Sequence, residues 1–77
     1  MQTKPVWTVD EKTHKICRLG DHALHMTKTR MNYGPGDSRN GYVWIAYTVV
    51  GGTASDRRIV NGKREGLALL MTTARMA

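Results

Sequence analysis

Four side chains able to ligate a metal or to act as nucleophile and base crowd into one window: His14, Cys17, His22 and His25, spaced His-x2-Cys-x4-His-x2-His. They are all the histidines and the single cysteine of the chain. Thiolate and imidazole are natural zinc ligands, and a structural zinc takes four in a tetrahedron. The same residues could pair Cys17 with His14, His22 or His25 as nucleophile and base. Such a pair also needs an oxyanion site, a pocket and an orienting group, none of which the sequence supplies. In a regular strand, His14 and Cys17 point to opposite faces. No catalytic residue, no metal and no cofactor is therefore expected, and Cys17 reads as a small core residue.

In its first three positions the window resembles the retroviral-type zinc knuckle, Cys-x2-Cys-x4-His-x4-Cys. It departs in carrying His14 for the first cysteine, His25 for the last, and two intervening residues rather than four at the end. The resemblance implies a small zinc domain ligated by His14, Cys17, His22 and His25. The shortened last spacing is a poor match to a closed tetrahedral site.

A broader constellation is basic and aromatic. The 77 residues carry 12 Lys+Arg against 6 Asp+Glu, a net charge of +6. A positive potential over so small a body favours polyanions, namely nucleic acid, the face of an acidic or nucleic-acid-handling protein, or anionic lipid; of these, nucleic acid or such a protein is the expected partner, not a membrane. Lys12, Lys15, Arg18, Lys28, Arg30 and Arg39 come from the first half of the chain, and Arg57, Arg58, Lys63 and Arg64 from the second. Tyr42 and Trp44 share one face of the most apolar segment. Facing outward among these cations they would stack bases while Lys and Arg met phosphates. Facing inward they would be core, beside Trp7, and the charges a solvated surface.

Other chemistries are excluded. Gly51-Gly52-Thr53 lacks the spacing and lysine of a phosphate loop, and there is no G-x-G-x-x-G. Two glutamates leave little for a carboxylate acid–base pair. One cysteine allows no internal disulfide. The start, Met1-Gln-Thr-Lys-Pro, has no apolar run of a secretory signal. The longest apolar run, Tyr42 to Val50, is too short to span a bilayer. The expected setting is the cytoplasm, or the host cytoplasm if the protein is viral.

The elements that would position these residues can be read from periodicity. One domain, 1–77, is expected, with strands within 5–60 and a helix over about 63–76. Pro5–Leu19 reads as a hairpin around a charged turn, Asp10–Thr13. Gly20-Asp21 is a turn, and Ala23–Met31 a strand with Leu24 and Met26 on one face and Thr27 and Thr29 on the other. Asn32–Gly41 is the clearest loop. Tyr42–Val50 is the strongest strand, with Val43, Ile45, Tyr47 and Val49 on one face and Tyr42, Trp44, Ala46 and Thr48 on the other. Thr53–Asp56 reads as a turn and Arg57–Val60 as a return strand. Asn61 is placed to cap a helix. Leu67, Leu70, Met71 and Ala74 form its stripe, widened by Leu69 and Met76. Gly66 would allow the helix to pack closely. The expected architecture is α+β, a small antiparallel sheet of three to five strands against one C-terminal helix. The expected core sets Val43, Ile45 and Val49 against Leu67, Leu70 and Met71, which would leave Tyr42 and Trp44 outward.

This arrangement is similar to that of small DNA-binding modules such as plant AP2-type and integrase arm-binding domains, without a shared motif. The leading functional expectation is a nucleic-acid-binding accessory or regulatory protein. Its rival is a phage- or mobile-element-type inhibitor or adaptor that docks on a larger host machine, with aromatic and Arg side chains as anchors. A homodimer would thicken an otherwise thin core.

Overall fold

The computed structural model describes residues 4–76. Residues 1–3 and the Met76 side chain, which the sequence reading used, lie outside that description. The chain forms β1 (Val6–Asp10), β2 (His14–Leu19), β3 (His22–Met31), β4 (Gly41–Val50), β5 (Thr53–Ala54), β6 (Arg58–Val60) and α1 (Lys63–Met76). The strands make one antiparallel sheet in the order β1-β2-β3-β4, and β5 and β6 both pair with β4. This is the small α+β arrangement expected from the sequence, with one addition. Thr53–Ala54, expected as turn, pairs with Val50 and Val49. Gly51 and Gly52, at φ 57° and 85°, form the two-residue connection. Hairpin turns with positive φ at both positions exclude β-branched residues, which is why the Val49-Val50 run stops there.

The register fixes which residues share a face. Cys17 pairs with Leu24, Leu24 with Thr48, Met26 with Ala46 and Trp44 with Val60. Of these, Cys17, Leu24, Met26, Ala46, Thr48 and Val60 are buried together with Leu19 and Leu70, and Trp7, Trp44, Leu67, Leu69, Met71 and Ala74 pack half-buried around them. The helix therefore covers the Trp44/Ala46/Thr48 face, not the Val43/Ile45/Val49 face expected from the sequence. Both faces are apolar, and hydrophobicity alone does not choose between them. The helix comes closest to the covered face at Gly66, over Met26 and Leu24. A Cβ on Gly66 would stand 2.6 Å from Met26 Sδ and 3.1 Å from Leu24 Cδ2.

The helix start also differs from expectation. The Gly62 carbonyl accepts the first helical bond, from Gly66 N–H at 3.1 Å, so Gly62 occupies the cap position. The Asn61 N–H, one residue before the cap, donates to the Glu65 carboxylate at 3.3 Å. No helix among the described residues is long and apolar enough to cross a membrane.

The molecule measures 50 × 22 × 19 Å. Its length comes from β3 and β4, each of 10 residues. β2 ends its pairing with β3 at His14–Thr27, and β6 its pairing with β4 at Val60–Trp44. Among the described residues, Thr29–Met31 and Gly41–Val43 consequently pair only with each other, as a two-stranded ribbon.

Candidate nucleic-acid interface

The ribbon carries the first cluster. Arg30 lies directly across from Tyr42, and Lys28 across from Trp44, all on the helix-bearing face. Tyr42 is 68% exposed. The Lys28 ammonium stands 5.7 Å from the centre of the Tyr42 ring and 5.9 Å from that of Trp44. Trp44 is not an open platform: it packs on the core, with the Lys15 ammonium 5.4 Å from its ring centre. The two sequence readings of this pair thus divide between its members, Trp44 going to the core and Tyr42 to the surface.

Several of the expected cations are engaged internally. Asp10 forms ion pairs with Lys15 and, at 2.7 Å, with Lys63. The hydrogen bond from Lys15 and then that from Lys63 hold the Asp10 carboxyl below its usual range. Lys63 also stands 4.7 Å from the Trp7 ring centre. Arg39 grips Asp37 through Nε at 3.1 Å and Nη2 at 2.8 Å. This pair lowers the Asp37 pKa and raises that of Arg39. The Arg39 guanidinium lies 4.2 Å from the Tyr33 ring centre. The loop bearing it is tied together by Asn40, which accepts from Tyr33 N–H and donates to the Gly34 carbonyl, both at 2.7 Å. Arg18, Lys28, Arg30, Arg57, Arg58 and Arg64 are in no ion pair among the described residues.

The second cluster lies on the uncovered face of the sheet, and sequence reasoning missed it by assigning that face to the helix. His25 and Tyr47 are cross-strand partners. Their rings stack with centroids 5.2 Å apart and planes 7° from parallel. On the other side of Tyr47, the Arg57 guanidinium stands 5.5 Å from the ring centre. Beside this row, Thr27, Thr29, Ile45, Tyr47 and Arg57 line a shallow groove of about 350 Å³. Burial, then His14 and Arg18, push the His25 pKa down. The signal available in sequence was the alternation that put Tyr47 with Val43 and Ile45; the choice of covered face decided its exposure.

The structure separates the neighbours Arg57 and Arg58. Arg57 lies over Tyr47 on the open face, whereas Arg58 pairs with Ala46 on the helix-bearing face. It also separates the His/Cys window. Cys17 and His22 take register positions on the helix-bearing face, His14 and His25 on the open one. The four do not converge, and no group of three metal-ligating side chains is found among the described residues. Cys17 is fully buried, and burial raises its thiol pKa, the reverse of what a nucleophile needs.

Comparison with protein-family models, with curated proteins and with solved structures finds no match for this chain.

Proposed function

We propose that this chain is a small nucleic-acid-binding accessory or regulatory protein, acting in the cytoplasm (of the host, if viral), with no catalytic step and no cofactor. The observation that carries this reading is the exposed Tyr42 on the projecting ribbon, flanked by Lys28 and paired across the strands with Arg30. A two-stranded ribbon has the width a major groove admits. An exposed aromatic between two cations suits unpaired bases as well. The net charge of +6 supplies the long-range attraction.

A titration over a salt series, with single- and double-stranded DNA and RNA, tests the reading. Affinity falls steeply with salt because each neutralised phosphate releases counterions. Replacing both Lys28 and Arg30 by Ala lowers the salt slope by about two, one for each phosphate contact. Binding no tighter than the non-specific range, roughly 10⁻⁴–10⁻⁶ M at physiological salt, ends it.

One observation favours the inhibitor or adaptor instead. The uncovered sheet face exposes Val6 at 57% on one edge strand and Ile59 at 49% on the opposite edge, with Ile16, Ile45 and Val49 half-buried on the strands between them, an apolar face that a protein partner could cover. A pull-down with and without nuclease separates the two readings. Capture that survives nuclease belongs to a protein partner.

A further inference from the structure

The geometry points to a single-nucleotide subsite in the groove on the uncovered sheet face, where Tyr47 and Ile45 take an unpaired base and Arg57 its phosphate. This rests on the nucleic-acid reading above and deepens it by naming the form of ligand, a single strand.

The groove combines what a nucleotide requires. Its volume, about 350 Å³, falls within the roughly 300–1,000 Å³ of small-ligand sites. Tyr47 supplies a flat wall: one ring face is stacked on His25, the other lies under the exposed Arg57 guanidinium at 5.5 Å, and a base stacks on that second face as Arg57 swings off the ring to its phosphate. Every base has a π-face, so a stacking platform accepts all of them. Ile45 gives an apolar floor. Thr27 and Thr29 carry the only hydroxyls of the lining apart from Tyr47, and each can both donate and accept toward a base edge or sugar. The Arg57 guanidinium presents a planar fork of donors matched to phosphate.

Charge decides between occupants. The open-face register positions hold His14, Arg18 and His25 among apolar and hydroxyl residues, and Arg57 reaches over Tyr47. None of the strand positions on this face is acidic; Asp10, the one strand carboxylate, is drawn to the other side by Lys15 and Lys63. A second copy laid face to face would set Arg18 and Arg57 against like charges. A polyanion with flat groups satisfies both the cations and the platform. A duplex buries its base faces in the stack, so only an unpaired strand can use Tyr47 in this way.

The test compares binding of an oligothymidylate and of a mixed-sequence duplex by the full chain and three variants. Tyr47→Leu keeps an apolar side chain on the sheet, and Arg57→Gln alters an exposed one. Each weakens single-strand binding, Tyr47→Leu by roughly five- to 150-fold, the loss of one stacked base, and leaves duplex binding unchanged. The Lys28→Ala/Arg30→Ala pair weakens both ligands. Thymidine monophosphate alone shifts the amide resonances of Thr27, Thr29 and Ile45. If Tyr47→Leu and Arg57→Gln leave oligothymidylate affinity unchanged while the ribbon variant lowers it, the subsite is wrong and the nucleic-acid reading stands. If no nucleic acid binds, both fall. A protein partner that protects the Ile45 and Tyr47 amides would hand this face to the adaptor.

Discussion

Gly66 on α1 and Met26 on β3 are in such close contact that a single added methyl would stand 2.6 Å from the Met26 sulfur. By helix propensity alone, Gly66→Ala should stabilise by about 1 kcal/mol. Met26 is fully buried, and overpacking a closed core costs about 1–3 kcal/mol. The expected net effect is a lower melting temperature for Gly66→Ala. Adding Met26→Leu, which removes the sulfur from that position, should restore part of the loss. A double-mutant cycle with no coupling between the two sites would show that the contact does not set the helix height.

Thr48 is buried, and Ser55 serves it where the edge of β4 passes between β5 and β6. The Thr48 N–H donates to Ser55 Oγ at 2.9 Å, the two hydroxyls lie 3.1 Å apart, and the Ser55 N–H donates to the Thr48 carbonyl at 2.8 Å. Ser55→Ala keeps the last bond and orphans the buried groups. It should destabilise by about 1–3 kcal/mol although Ser55 itself is exposed. Denaturant unfolding measures this; a midpoint equal to wild type would mean water replaces the serine.

The element boundaries were legible because the local signals agree. Period-2 alternation marks Tyr42–Val50, paired glycines end it, and the Leu67/Leu70/Met71/Ala74 stripe marks the helix. The covered face was not legible, because both faces of β4 are apolar and the deciding contacts are nonlocal: Gly66 with Met26 and Leu24, and Val60 with Trp44. That one choice moved Trp44 into the core and Tyr47 out of it. Likewise nothing in the spacing of the cations could tell that Asp10 would pair with both Lys15 and Lys63, since Asp10 and Lys63 meet across 53 residues of chain.

The face assignment has a direct energetic consequence. Leu70, on the sheet-facing side of the helix, is fully buried, whereas Ile59 on the open face of the sheet is 49% exposed. Leu70→Ala should cost about 2–5 kcal/mol, enough to unfold much of so small a domain. Ile59→Thr should stay within about 0.5 kcal/mol of wild type. Thermal melts of the two variants check the assignment, and comparable losses in both would mean that the open face is packed in solution.

The split register of the His/Cys window carries an expectation for metal. With Cys17 and His22 on one face and His14 and His25 on the other, protein purified without chelator should contain no stoichiometric zinc by elemental analysis. One zinc per chain, lost together with the fold in His22→Ala, would mean that the hairpin rearranges around a metal.

His25 sets an acid limit on stability. Its ring stacks on Tyr47, and the charged groups acting on it are His14 and Arg18 from β2; Arg57 lies beyond Tyr47. Burial first, then those two neighbours, depress its pKa below the ordinary 6.5. On acidification the unfolded chain therefore takes up this proton before the folded one does. Stability from this group is fully present above pH 6.5 and is lost as the pH falls through the depressed folded value. Asp10 is also depressed, but from 3.8, so its contribution begins to be lost at a lower pH than that of His25. The melting temperature should decline as the pH drops below 6.5, and His25→Gln, which keeps a planar polar side chain without the titration, should flatten that decline while leaving the fall near the carboxylate range. An unchanged decline in His25→Gln would place the acid-sensitive group elsewhere.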